Sequence, residues 1–113
     1  MPDLSIILYP ETLRSIAFGA IGGAYATVGT KFTNASRLVV FDNFTNANLL
    51  ISLDGVNNHF AIFATSSKVF DLMTNHTSQA GEAFFRVGTQ IWVKEEGAAP
   101  TSGNFYVTTL FGE

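Results

Sequence analysis

The chain has 113 residues, 47% hydrophobic and only 13% charged, with eleven Phe, ten Gly, no Cys and a net charge of about −3. That length fits one domain, able to bury roughly two thirds of its unfolded surface without a metal or disulfide staple. The composition excludes pervasive disorder and thiol chemistry, and the basic residues Arg14, Lys31, Arg37, Lys68, Arg86 and Lys94 are scattered singly, without the stripe that direct nucleic-acid binding needs.

At the N-terminus, Pro2 and Pro10 bracket the apolar heptad "DLSIILY". It is expected to be either the first strand or, within residues 1–11, an arm that adds to a neighbouring subunit's sheet by main-chain pairing. Lacking a positive n-region and a long enough apolar run, it predicts no Sec-type export. Strands are expected over Thr12 to Phe18 and near Ala24 to Val28. The glycine-rich segment "FGAIGGAYATVG" around them is too short and too dilute for a membrane span, and it matches no phosphate-binding loop.

"RLVVFDNF" and "NLLISLDG" then read as partner strands joined by the polar "TNAN", which predicts a hairpin. In the second, Leu49, Ile51 and Leu53 share one face while Leu50, Ser52 and Asp54 share the other, the alternation of a half-buried strand. Asp54-Gly55 is tight-turn chemistry, prolonged by Asn57 and Asn58. "HFAIF" and "KVFDLMT" follow as short strands, then Ala83 to Arg86, a Val87-Gly88 turn and Thr89 to Glu95. The closing "NFYVTTLF", reached through "EEGAAPTSG", is expected to pair with the Thr89 to Glu95 strand; it carries bulk on both faces and is expected to lie centrally. About eight short strands at regular spacing predict an all-β chain, a single antiparallel β-sandwich of jelly-roll type over 1–113, with a closed β-barrel as the alternative.

No pattern in the chain predicts catalysis. His59 and His76 are the only histidines and stand at no zinc-like spacing, the EF-hand pattern is absent, and no G-x-S-x-G occurs. No catalytic residue, metal or cofactor is therefore expected. The sequons at Asn34, Asn43 and Asn75 matter only in a secreted eukaryotic protein. The low charge and abundant Phe predict apolar surface left over after the core is filled, hence a subunit that meets a partner. A sugar-binding module is the alternative, because Trp92 shares a strand face with Gln90 and Lys94, and Tyr25 or Tyr106 would extend an aromatic platform.

The order "IGGAYATVGTKFTNASRLVVFDNFTNANLLISLDG", "VFDLMTNHT", "FFRVGTQIWVK" and "APTSGNFYVTTLFGE" resembles small structural proteins of tailed bacteriophages. The resemblance rests on Arg37 heading an apolar strand, the Asn43-x-Thr45 corner, Ser52-x-Asp54-Gly55, the Gly88-Thr89 strand start, and the closing strand with Tyr106. It implies a non-enzymatic virion component: a capsid decoration or cement subunit bridging major capsid proteins, or an accessory ring subunit at the head-tail connector that contacts portal proteins. A homo-oligomer in the virion, with no membrane partner, is expected on this basis. The expected assembly contacts are Ile6, Ile7, Leu8 and Tyr9 of the arm, Arg37, Asp42, Trp92 and Tyr106.

Overall fold

The computed structural model describes residues 8–71 and 85–112. Within them run β1 (Leu8–Pro10), β2 (Arg14–Ala17), β3 (Ala26–Thr27), β4 (Ser36–Asn43), β5 (Leu49–Ser52), β6 (Phe60–Ile62), β7 (Ser66–Asp71), β8 (Trp92–Glu95) and β9 (Asn104–Gly112). The helical content of the described residues is one 3-10 turn, Phe18–Ala20. No helix among them is long and apolar enough to cross a membrane.

The strands form two antiparallel sheets. In the first, β1 and β2 lie along one edge of β9, followed by β4 and β7; the second runs β3, β8, β5, β6. Pro10 faces Leu110 and Arg14 faces Val107, so residues 11–13 oppose 108–109 and a bulge separates β1 from β2. Taken as one interrupted strand, β1 and β2 leave eight strands among the described residues, arranged as a sandwich. From β2 onward, only the β5–β6 connection stays within a sheet, and every other one crosses between sheets. This is the jelly-roll order, and the sheet does not close into a barrel. β9 is central, as its two bulky faces predict.

The expected hairpin between "RLVVFDNF" and "NLLISLDG" does not form. β4 pairs with β7 and β9, while β5 pairs with β6 and β8 in the other sheet. The reason lies in Asn43, which is fully buried. Its Nδ2 donates to Ala47 O at 2.9 Å and Phe63 O at 3.0 Å, while its Oδ1 accepts from Thr45 N at 3.0 Å and Thr45 Oγ1 at 2.6 Å. The side chain supplies the partners that hairpin pairing otherwise gives, and it sends the chain across the sandwich. "NFYVTTLF" likewise lies in the sheet opposite its predecessor, β8.

Inward positions alternate along the long strands: Val39 and Phe41 on β4, Phe105 and Val107 on β9, Leu49 and Ile51 on β5, Val93 on β8. Phe41 is the hub, with ring centroids 5.5 Å from Phe70, 6.0 Å from Phe105 and 6.4 Å from Phe60. The ring contacts continue from Phe70 to Phe85 and from Phe85 to Phe32. Much of the Phe content thus fills the core and is not surplus surface.

Arg14 also faces inward and is only 5% exposed. A buried guanidinium must have its donors satisfied. Here Nε bonds Thr30 O at 2.7 Å, one terminal nitrogen bonds Thr109 Oγ1 at 3.0 Å, and the other bonds Glu11 Oε1 at 2.7 Å and Lys31 O at 3.1 Å. Its charge also lies 4.9 Å from the Phe32 ring centroid. This network ties segment 28–35 to the bulge beside β2. Gly29, at φ +64°, passes so close that a Cβ there would stand 2.8 Å from Arg14 Cγ.

Candidate functional site

Because successive strands alternate in direction, segments 28–35, 53–59 and 85–91 gather at one end of the sandwich. The first and last are joined by backbone bonds: Phe32 N to Thr89 O and Gly88 N to Phe32 O, both 2.8 Å. The Asp54-Gly55 corner belongs to this end.

That corner is a structural device. Val56 N and Asn57 N donate to Asp54 Oδ1 at 2.8 and 2.9 Å, and Asn57 Nδ2 donates to Oδ2 at 2.8 Å. Ser52 Oγ donates to the same carboxylate and receives the N–H of Asp54 and Gly55. The amides of Asn57 and Val56 hold the Asp54 carboxyl far below the usual carboxylate range. A carboxylate so occupied is a poor proton acceptor. His59 Nδ1 accepts from Leu53 N at 3.0 Å, which leaves Nε2 facing Asp54 Oδ2 at 3.9 Å. Both side chains of the corner serve to fold it.

The corner bends over the outer face of the second sheet. At φ +77°, Gly55 lies against the Trp92 indole so closely that a Cβ would stand 3.0 Å from the ring. Tyr25 braces the same loop through a hydrogen bond from its hydroxyl to Asn58 Oδ1, and its ring takes Lys94 Nζ at 4.7 Å from the centroid. Partial burial, and then the charge of Asp54, raise the Tyr25 hydroxyl pKa. Trp92 does point outward, but it lies beneath a loop and is half-buried. Tyr106 belongs to the other sheet, opposite Asp42 and Ser15, so the three aromatics form no single platform.

Beside Trp92 opens a cleft of about 560 Å³ lined by Lys31, Leu53, Asp54, residues 85–90 and Trp92. No signal in the sequence brought Lys31 and Arg86 to Trp92; only the meeting of three connections does so. Among the described residues, no group of His, Cys, Asp and Glu is placed to hold a metal ion.

The other expected contact residues disperse. Leu8 and Tyr9 pair with Gly112 and Phe111 of their own chain, with Tyr9 stacked on Phe111 at 5.7 Å. Ile6 and Ile7 lie outside the described residues. Arg37 sits at the β4 register shift and is 8% exposed, so it presents almost no surface. Asp42 is on the outer face of the first sheet, where its Oδ1 accepts from Ser67 Oγ. Tyr106 shares that face and meets the exposed Phe44 edge-on at 5.7 Å.

That outer face carries the apolar surface that no single motif announced. Leu38 pairs with Leu110, and Val40 pairs with both Thr108 and Val69. Val69 is 58% exposed, and Leu13 in the neighbouring bulge is 55% exposed. By contrast, the sheet edges are blunted. Pro10 and the bulge interrupt one, Lys68 holds an inward register position opposite Phe41 on β7, and β3 and β6 are two and three residues long. Compared with protein-family models, with curated proteins and with solved structures, the chain matches none.

Proposed function

We propose that the chain is a non-enzymatic structural subunit of a tailed-phage virion, either a decoration or cement protein that bridges major capsid subunits or a ring component at the head-tail connector. The observation that carries this reading is the outer face of the first sheet, where half-buried Leu38, Val40 and Leu110 adjoin the exposed Val69 as an apolar stripe. With the edges blunted, assembly runs through this face and not through strand addition. The jelly roll supports the reading only by analogy, since capsid and lectin domains share it. Symmetric repetition multiplies a modest contact into a stable shell or ring.

The test is the copy number of this chain per purified particle, measured by quantitative mass spectrometry against the major capsid protein. Hundreds of copies would support capsid-wide decoration, and on the order of a dozen a ring at one vertex. Absence from the particle would remove the virion role. Val69→Glu, at an exposed site, should leave the melting temperature within a few degrees and abolish incorporation; normal incorporation would exclude this face as the contact.

A further inference from the structure

The cleft beside Trp92 is not needed for the apolar face to work, and its chemistry differs. Its walls combine one indole, the amide of Gln90, the hydroxyl of Thr89 and the cations of Lys31 and Arg86. Both cations are exposed, and neither forms an ion pair among the described residues. The one acid present, Asp54, is already occupied by Ser52, Val56 and Asn57. The Asp54 carboxylate stays ionised, but Lys31 and Arg86 outnumber it, so the lining is net positive. Gln90 spends its Nε2 on Gly29 O and Ile91 O, both 3.2 Å away, which fixes the side chain and leaves Oε1 as an acceptor for a ligand hydroxyl. The indole is held in place by Gly55.

From this combination we infer that the cleft binds a saccharide bearing an anionic group, with the sugar ring against Trp92, a hydroxyl on Gln90 and the anion between Lys31 and Arg86. A sugar presents C–H and O–H groups on one ring, which suits an aromatic wall edged by amide and hydroxyl. The anion suits two cations that form no ion pair among the described residues and outnumber the one carboxylate of the lining. The inference stands apart from the virion role, and the isolated chain suffices to test it.

Trp92 is the only tryptophan, so its fluorescence reports on the cleft directly. The probes are a galacturonic acid oligosaccharide, the matching neutral galactose oligosaccharide, and inorganic phosphate, titrated at low ionic strength. A saturable change is expected with the acidic saccharide, with the neutral one and phosphate each at least tenfold weaker. Arg86→Gln and Lys31→Gln, both surface changes, should each weaken acidic binding about tenfold while leaving the unliganded spectrum and melting temperature unchanged. Equal affinity for the neutral sugar would overturn the role of the cations. Phosphate binding as tightly as the saccharide would reduce the cleft to an anion site and overturn the sugar. No saturable response at millimolar acidic saccharide would overturn the inference entirely. Loss of virion incorporation would leave these titrations unaffected, and the reverse also holds.

Discussion

Replacing Asn43 by Ala tests the corner that makes this chain a sandwich. The side chain makes four hydrogen bonds of 2.6 to 3.0 Å, to Ala47 O, Phe63 O, Thr45 N and Thr45 Oγ1. Each is worth about 1 kcal/mol net, and a buried donor left unpaired costs about 1–3 kcal/mol more. Not every partner is orphaned, however. The single Thr45 hydroxyl proton, released from Asn43 Oδ1, turns to Ala47 O 3.1 Å away, and Phe63 O still receives Ser66 Oγ at 2.6 Å. The added penalty therefore falls mainly on the Thr45 N–H, and three bonds lost outright at about 1 kcal/mol each, with one orphaned donor at about 1–3 kcal/mol, sum to about 4–6 kcal/mol. Against a typical domain stability of about 5–15 kcal/mol, this is a large fraction. With a urea slope of about 1.5 kcal/mol per molar, the midpoint should fall by about 3–4 M, followed by Trp92 fluorescence and far-UV circular dichroism together. Asn43→Asp keeps the acceptor for Thr45 but turns a carboxylate oxygen toward two carbonyls, so at neutral pH it should be no better tolerated. A loss below about 1 kcal/mol for Asn43→Ala, or a neutral Asn43→Asp, would refute the reasoning.

Three further outcomes follow from the same geometry. Burial alone would raise the pKa of Glu11, but hydrogen bonds from Arg14, Asn34 and Thr33, with the charge of Arg14, hold it below its ordinary 4.5. A lowered folded-state pKa gives stability that is present above about pH 4.5 and lost as the pH falls through the folded value, so Glu11→Gln should flatten the acid limb of a melting-temperature profile; an unchanged limb would exclude Glu11 as its source. Gly103→Ala places a Cβ 2.0 Å from Phe44 O at φ +89°, whereas Gly97, at φ +93°, faces open space; both substitutions incur backbone strain of about 1 kcal/mol or more, and Gly103→Ala should lower the melting temperature clearly further. Asp54→Ala removes the acceptor for Val56 and Asn57, so amide exchange at those two positions should accelerate and Trp92 emission should shift, with exchange elsewhere unchanged.

Much of the architecture was legible in the sequence. Alternation in "NLLISLDG" and "NFYVTTLF" separated the two faces of each strand, and the structure buries the Leu49–Ile51 and Phe105–Val107–Thr109 sides while also burying Ser52 on the other face of β5; the Asp54-Gly55 corner reads as a turn from its residue types alone. Period-2 patterning states which side chains face inward, but carries nothing about which strands are neighbours. That is why β4 and β5, adjacent in sequence and both well patterned, were expected to pair and instead lie in opposite sheets.

The sequence by itself determined an all-β chain of short strands, its alternating faces and its turn chemistry, because each depends on residues within a few positions of one another. Tertiary structure alone decided that Asn43 and Thr45 are buried, that Arg14 is sealed among Glu11, Thr30, Lys31 and Thr109, and that Lys31 and Arg86 line one cleft with Trp92. A polar residue in a sequence looks solvated until its partners are known, and these partners come from distant segments. Their meeting is set by the jelly-roll crossing of the chain, which no local pattern encodes.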